Sequence, residues 1–505
     1  MIVALVIGEL FGVAWPARRL LSTPPKEESG FVKRILRVLW ALFAIVFSLS
    51  PARIPFLAWP GAATCFGQAS GETSDELIQL VLDLLGESDQ ELRSLAYEQI
   101  RNEAPGIKAT QRFAAQLNQL PAEGQVGLVR ALADRGDRAA RPAVLELLAS
   151  KDASVREAAI RALGSLGEVA DIERLVALLS SPSEGEVAAA RRSLTRLSGD
   201  DVAHSIAQRM SQAAPALRVP LLEILAERRA LDTVPRILDA AIDSHAEVRT
   251  AAMQAMGQIG SPDDLPGMVK GVLAASKGAE RAAAEKAVMF VCERVQDPDQ
   301  RAAPLMAAIS KLPTPDRQLM LSTLGRVGGA SALEPIEASI ASTNQAEHAA
   351  GIAAIANWPH AAIAPEFIRL IKSERHANHR TSILRALLRV SVLPDDRADA
   401  DRLALLKEAI SMCERDADRL LGLQRAPAVR TVETLRFVLP YVDQPVYAEQ
   451  ASTAVVELAH HRSLREAHKA EFHAALDKVL ATSKNPTTID RAQRYKNNQT
   501  WVRPK

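Results

Sequence analysis

The sequence has few cysteines, few aromatic residues and no excess of either charge. Three cysteines in 505 residues are too few for a disulfide framework. The 61 lysines and arginines nearly balance the 60 aspartates and glutamates, which argues against a strongly basic nucleic-acid-binding protein and against an acidic disordered tail. Aromatic residues make up only 4%, so the core must consist mainly of small and aliphatic side chains. Such a composition is typical of closely packed helices.

Motifs of the common enzyme classes are also missing. The sequence contains no nucleophile elbow, phosphate-binding loop, dinucleotide fingerprint or His-Glu-x-x-His pair. Histidines cluster at 376 and 379, where the adjacent Arg375 and Arg380 discourage metal binding, and in the segment 460–473, which lacks a His-Glu-x-x-His spacing. We therefore expect no enzyme activity, no cofactor and no metal. Cys292 and Cys413 lie in apolar helical contexts and are predicted to be buried small hydrophobes.

The first 69 residues differ from the rest and predict export. Basic residues at 33–37 precede the apolar run Val38–Leu49, and small residues follow as far as Ala69. This order is typical of a secretory signal. We expect residues 32–69 to be a signal peptide, cut after Ala69, or a membrane anchor.

Residues 1–31 form a leader that translation from a start at Val32 would omit. The alternative interpretation keeps two membrane helices, at 1–15 and about 35–50. In both interpretations the basic segment 17–37 stays in the cytoplasm, because positive charge flanking a span favours that side. We therefore expect the following chain to lie outside the cytoplasm: periplasmic, secreted or anchored to a bacterial membrane.

From residue 72 onward the sequence repeats with a period of 29 to 36 residues. One column of the repeat is mostly arginine, at Arg93, Gly127, Arg156, Ala188, Arg218, Arg249, Arg281, Arg317, His348 and Arg380. A glycine column follows at Gly136, Gly167, Gly199, Gly260 and Gly328, where left-handed helix ends are expected. Capping boxes beginning at Ser88, Ser154, Ser183 and Ser244 mark helix starts.

Each period predicts two antiparallel helices, because an amphipathic pattern of period 3.6 occurs on both sides of the glycine. Such a pair cannot bury its apolar face alone, so neighbouring pairs must stack into an α-solenoid. We expect eleven or twelve pairs: regular repeats over 72–393, irregular C-terminal helical repeats over 394–482, and a frayed polar tail over 483–505.

The segment Asp152–Gly167 resembles the HEAT-like repeat of phycobilisome bilin lyases and of many bacterial proteins, and Val248–Gly260 resembles a second copy. The resemblance implies an all-α, right-handed α–α superhelix of the HEAT/armadillo type. It also implies structural roles in tying adjacent repeats and capping helices for one set of residues: Asp89, Arg93, Asp152, Arg156 and Arg249. As an alternative function, it implies a lyase-like enzyme related to the bilin lyases.

A polar column five residues after the arginine column suggests a binding face. It varies in charge, as a shaped recognition surface would. Residues 70–505 carry 54 basic and 57 acidic residues, which does not favour nucleic acid as a ligand. We therefore predict a non-catalytic scaffold that binds a protein or peptide on its concave face. The residues predicted to contact the partner are Arg161, Glu223, Gln254, Lys286 and Arg385.

Overall fold

The computed structural model describes residues 74–87 and 89–502. Within these residues all regular secondary structure is helical, so the predicted all-α solenoid is confirmed. None of the described helices is both long and apolar enough to cross a membrane. The predicted leader, signal segment and cleavage site at 1–69, and the cap at Ser88, lie outside the described residues.

The described chain forms 27 α-helices, which alternate between two layers. The first layer comprises α1 Asp75–Leu85, α3 Ile107–Ala114, α5 Arg141–Glu146, α7 Ile172–Leu178, α9 Val202–Gln212, α11 Val234–Ala240, α13 Leu265–Ala274, α15 Ala303–Ile309, α17 Ala330–Ile340, α19 Ala364–Ser373, α21 Asp399–Ser411, α23 Val432–Val438 and α25 Arg462–Ala467. The second layer comprises α2 Gln90–Asn102, α4 Ala122–Arg135, α6 Ala153–Leu166, α8 Glu184–Arg196, α10 Pro215–Glu227, α12 Ala246–Ile259, α14 Ala279–Cys292, α16 Thr314–Val327, α18 Gln345–Ile355, α20 Ala377–Ser391, α22 Asp416–Arg425, α24 Ala448–His460 and α27 Pro486–Lys496. Helix α26 Lys469–Thr482 follows α25 after a single residue and lies in the first layer with it, because Glu471 and Lys478 pair with Arg436 in α23 and with Asp443 just after α23. Helix α27 packs against α24 and α26.

Helix α6 shows how the repeat sequence produces this arrangement. Asp152 caps its start, because Oδ1 accepts hydrogen bonds from the backbone nitrogens of Ser154 (2.8 Å) and Val155 (3.3 Å). Val155, Ala159 and Leu163 recur at helical spacing and are fully buried. Burial of such a stripe between neighbouring helices, and not helix propensity alone, supplies most of the stability of a helix of this length.

The glycine column ends helices in different ways. Gly136 has φ 75° and ψ 7°, the left-handed conformation that was predicted, whereas Gly328 combines a φ of 70° with a ψ of −163° and lies outside it. Gly167 and Gly260 instead have extended backbone, so the prediction is wrong for them. A Cβ on Gly167 would lie 2.4 Å from the Leu163 carbonyl oxygen. Glycine is therefore required at this position because there is no space for a side chain.

The predicted capping boxes are also wrong in detail. Ser183 caps α8, but Glu186, the expected reciprocal partner, accepts a hydrogen bond from Arg156 of the preceding repeat instead. Helix α12 begins at Ala246, so Ser244 lies too early to cap it. In α6 the cap is Asp152 and not Ser154. Of the glutamates assigned to local caps, Glu186 contacts the preceding repeat, whereas Glu157 pairs with Arg161 of its own helix.

The C-terminal region is more regular than the sequence suggested. Twelve helix pairs precede α25 in the described chain, and α25–α26 together with α27 form a thirteenth, one or two more than expected. The tail predicted to fray contains α27, with Tyr495 buried in it. Trp501 packs beneath Arg491, whose guanidinium lies 4.9 Å from the ring centroid. The polar composition of the tail did not indicate this helix, whose buried face consists of only Thr488, Ala492 and Tyr495.

Both cysteines beyond the N-terminal segment are buried, as predicted. Burial raises the pKa of Cys292 to about 12 and that of Cys413 to about 11. Neither thiol is therefore reactive at neutral pH, because the thiolate is the nucleophilic form.

Candidate functional site

The residues assigned structural roles form a ladder that connects successive repeats. Arg156 Nη1 donates to the Ser150 carbonyl oxygen (2.9 Å), and its Nε donates to Glu186 of the next repeat (2.7 Å). Arg249 repeats the pattern: Nη1 donates to the Asp243 carbonyl oxygen (2.8 Å) and Nε to Glu280 (2.8 Å). Each arginine thus fixes the turn before its own helix and the start of the next second-layer helix.

At the start of the array the same residue types occupy the same places. Asp89 caps α2 by accepting from the Glu91 backbone nitrogen (2.7 Å), and Arg93 Nη1 donates to the Glu87 carbonyl oxygen (2.9 Å). For Asp152, hydrogen bonds from the Ser154 hydroxyl and from the backbone hold the pKa of the carboxyl below its usual range. The Asp152 cap therefore stays ionised at neutral pH, the form that complements a helix N-terminus.

The ladder continues beyond residue 394, where the sequence pattern fades. Arg419 and Arg465 each donate to the carbonyl oxygen six residues earlier, as Arg156 and Arg249 do. Sequence analysis missed both because the interval from Arg380 to Arg419 exceeds the period of the regular repeats. The six-residue offset between an arginine and the preceding turn is the signal that would have identified them.

A second set of arginines, also missed, supports the other end of the second layer. Arg228 Nη1 donates to the carbonyl oxygens of Leu194 (2.7 Å) and Thr195 (2.9 Å) at the end of α8. Arg389 Nη2 donates in the same way to Trp358 beyond α18 (2.7 Å). Cations at helix C-termini satisfy carbonyls that lack helical partners and complement the helix dipole.

The five predicted partner-contact residues lie on the second layer but do not form one continuous patch. Arg161, Gln254, Lys286 and Arg385 are exposed, and Glu223 is half-buried. Two of the five hold neighbouring helices together. Glu223 accepts from Arg191 of α8 (2.6 Å), and Arg385 Nε donates to the buried carboxylate of Asp418 in α22 (2.7 Å).

Apolar side chains interrupt this polar face at two helices. Phe290 in α14 is 42% exposed and Leu319 in α16 is 44% exposed. Lys286 Nζ lies 5.4 Å from the Phe290 ring centroid, and Leu319 is one turn before Ser322 of the polar column. Sequence analysis missed both residues, although Phe290 follows Lys286 by four positions, the spacing that places side chains on one helical face.

The structure brings together one group of side chains able to hold a metal. Ligand atoms of His348, Glu374 and His379 all lie within 4.8 Å of one another. They adjoin an open cavity of about 830 Å³ whose lining includes His348, Glu374 and His376. For Glu374, burial acts to raise the pKa of the carboxyl, but hydrogen bonds from the His376 backbone and from His348 hold it below its usual range.

The histidines near the C-terminus are not grouped in this way. His460 Nδ1 lies 2.9 Å from the Tyr495 hydroxyl, and Glu457 pairs with Arg491. In the described chain, the metal-capable group occurs at the other cluster, the one the sequence analysis judged unsuitable because arginines flank it. The five predicted contact residues lie on five separate helices.

Comparison with known proteins agrees with this architecture. The family model for HEAT repeats matches residues 110–195 and 204–289. Among solved structures, Kap121p bound to Nup53p is 12% identical, with 83% of this chain and 53% of that chain covered and a TM-score of 0.43. Yeast importin-beta (Kap95p) is 13% identical, with 84% and 66% covered and a TM-score of 0.39. The CpcE–CpcF complex of phycocyanin lyase from Nostoc sp. PCC7120 is 18% identical, with 52% and 100% covered and a TM-score of 0.25.

These similarities concern the fold alone, and the chain spans about half the length of Kap121p. No curated protein matches the sequence significantly. The two matched segments lie within α3 to α14. The chain therefore contains HEAT repeats, at residues 110–195 and 204–289.

Proposed function

We propose that this protein is a non-catalytic scaffold that binds a protein or peptide along the exposed face of its second helical layer. The proposal includes a location outside the cytoplasm, supported by the order of basic, apolar and small residues between 33 and 69. The observation that carries it is the pair of exposed apolar side chains, Phe290 and Leu319, set among charged residues on this face.

The geometry of a two-layer array supports the choice of this face. Neighbouring second-layer helices pack against one another more extensively than neighbouring first-layer helices do. An array with one tighter layer curves toward that layer, so we expect the second layer to line the concave side. Concave solenoid surfaces are long and rigid, which suits them to extended peptides and to protein surfaces.

The chemistry of the face favours a protein over a polyanion. Exposed aromatic and aliphatic side chains surrounded by polar residues are typical of protein interfaces. The arginines on this face are mostly neutralised: Arg191 pairs with Glu223 and Glu227, and Arg326 pairs with Glu285. Little uncompensated positive charge is therefore presented to phosphate groups.

Affinity capture from the exported fraction, followed by mass spectrometry and a binding titration with the partner identified, tests the proposal. Phe290→Ala should weaken that partner's binding, because loss of a buried aromatic anchor at an interface typically costs over 1 kcal/mol, about fivefold or more in Kd. The matched control is Leu231→Ala, since Leu231 is 62% exposed but precedes a first-layer helix.

Equal weakening by both substitutions would indicate a different binding surface, and no weakening by Phe290→Ala would refute the assignment of this face. A product formed from a tetrapyrrole or peptide substrate by the purified protein would refute the non-catalytic part of the proposal. Recovery of the intact N-terminus in the cytoplasmic fraction would refute the location.

A further inference from the structure

The side chains of His348 and His379, from two adjacent repeats, approach the same oxygen of the Glu374 carboxylate. His348 Nε2 in α18 lies 2.8 Å from Glu374 Oε2, just after α19. His379 Nδ1 in the first turn of α20 lies 3.7 Å from the same oxygen. The centroids of the two imidazole rings are 5.3 Å apart. Two nitrogens and one oxygen therefore lie within 4.8 Å of one another, close enough for side-chain movements to bring them onto one metal ion.

His348 is held in the orientation that a metal ligand requires. Its Nδ1 donates to the Ile340 carbonyl oxygen at 2.6 Å, and its Nε2 faces Glu374, to which it donates a proton that a metal ion would replace. Metal-binding histidines almost always donate their second nitrogen to a carbonyl or carboxylate in this way, because the bond fixes the tautomer and the ring. Glu374 is held too, since its other oxygen accepts from the His376 backbone nitrogen at 2.7 Å.

His379 provides an independent observation. Its Nδ1 is buried and has no hydrogen-bond partner in the structure. An unpaired buried polar atom costs about 1–3 kcal/mol, so a nitrogen in this position needs a partner. A cation between Nδ1 and the Glu374 carboxylate, whose side chain is only 4% exposed, would satisfy both groups.

The flanking arginines do not occupy this position. Arg380 Nη1 donates to the carbonyl oxygens of Glu374 and Arg375, at 3.1 Å each, and its Nη2 lies 3.7 Å from the Glu414 carboxylate. Arg375 is exposed and lines the adjoining cavity. The hydrogen bonds of Arg380 therefore weaken the objection that this neighbouring cation would repel a metal.

We propose that His348, Glu374 and His379 bind one divalent transition metal ion. Two imidazoles and one carboxylate suit zinc and its first-row neighbours, whereas magnesium and calcium prefer oxygen ligands alone. Three protein ligands leave coordination positions open, and the adjoining cavity of about 830 Å³ lies on that side. Its lining supplies Ser342, Thr343 and Arg369 as groups that a further ligand would meet.

The test uses the full-length protein without a histidine tag, stripped of metal by a chelator and dialysis. Titration with Co²⁺ should produce a visible d–d absorption that saturates at one ion per chain, and Zn²⁺ should abolish it. Calorimetric titration with Zn²⁺ should show that His379→Ala and His348→Arg each weaken binding by at least ~10-fold. His348→Arg places at this position the residue found at most others in the column, so it should fold.

His376→Ala is the matched control. Its ring lies 5.1 Å from that of His379, but it is not one of the three converging residues, so Zn²⁺ affinity should stay at the wild-type value. Circular dichroism of each metal-free variant checks the fold. The proposal fails if wild-type protein binds no Zn²⁺, or if His379→Ala and His348→Arg bind it as the wild type does.

Discussion

The same position of the repeat carries different chemistry in two regions of the array. In α12, Arg249 donates to the turn before its helix and to Glu280 of the next repeat. In α18, His348 takes the place of the arginine, bonds the Ile340 carbonyl and faces Glu374 of the next repeat. Both side chains thus connect a preceding carbonyl to a following carboxylate.

The two side chains differ in whether they can also act as a metal ligand. A guanidinium stays charged at all physiological pH values and offers only donors, so Arg249 can do no more than hold Glu280 in place. An imidazole can lose its proton and offer a lone pair to a metal. A structural contact in one repeat therefore becomes a candidate binding site in another through one substitution and the nearby His379.

The largest effect is expected where the arginine connection is broken. Arg249→Ala removes a cation whose side chain is 11% exposed and leaves the 13%-exposed carboxylate of Glu280 without its partner. Breaking such a pair typically costs about 3 kcal/mol, because the remaining charge is desolvated and unpaired. Urea unfolding followed by circular dichroism should show a midpoint well below that of the wild type.

Arg236→Ala serves as the control for this substitution. Arg236 is exposed on α11, and changes at such positions usually stay within about 0.5 kcal/mol. Similar losses from both variants would mean that the ladder does not contribute specifically to stability, and the comparison with His348 would lose its basis.

A second comparison of the two regions concerns how closely their second-layer helices approach. A Cβ added to Gly325 in α16 would lie 1.9 Å from the Ala354 carbonyl oxygen, whereas one added to Gly257 in α12 would lie 3.2 Å from the Ala287 Cβ. Gly325→Ala should therefore force the helices apart and cost about 2 kcal/mol.

Gly257→Ala should be nearly neutral, since the tighter contact is offset by the roughly 1 kcal/mol by which alanine exceeds glycine in helix propensity. Thermal unfolding of both variants measures the difference. Equal destabilisation would show that α12–α14 and α16–α18 are packed alike, contrary to the structure.

The sequence predicted those parts of the fold that depend on local pattern. The period, the two helices per repeat, and Arg156 and Arg249 as repeat positions follow from hydrophobic spacing and from residues that recur. The partner of each arginine did not follow, because Glu186 has the spacing of a local cap and its contact with Arg156 exists only between stacked repeats. The convergence of His348 with His379 was hidden for the same reason, since the two residues belong to adjacent repeats.

The stability that the Arg249–Glu280 pair contributes should decrease at low pH. For Glu280, burial acts to raise the pKa of the carboxyl, but hydrogen bonds from Arg249 and Ser276 hold it below its usual range. A lowered folded-state pKa gives stability that is complete above the unfolded value and is lost as pH falls through the folded value. The stability advantage of wild type over Glu280→Gln should be constant from neutral pH to about pH 5 and should shrink at lower pH.

Urea midpoints of the two proteins at pH 7, 5 and 3.5 measure this advantage. Arg249 remains charged throughout, so any loss in this range reports on the carboxylate. An advantage that shrinks between pH 7 and pH 5 would point to a different titrating group and would contradict the assignment to Glu280.

The smallest change in the free energy of unfolding is expected for a substitution on the exposed face of the second layer. Lys286 is exposed and contacts the Phe290 ring at 5.4 Å from its centroid, a cation–π interaction worth about 0.5 kcal/mol at an exposed site. Lys286→Glu should therefore shift the unfolding free energy by no more than about 0.5 kcal/mol, while it reverses the charge beside Phe290. Because this residue lies on α14, which also contains Glu280, the contrast with Arg249→Ala separates the role of the ladder from that of the face. A loss approaching that of Arg249→Ala would show that Lys286 supports the fold, and charge reversal there could not then be used to test partner binding.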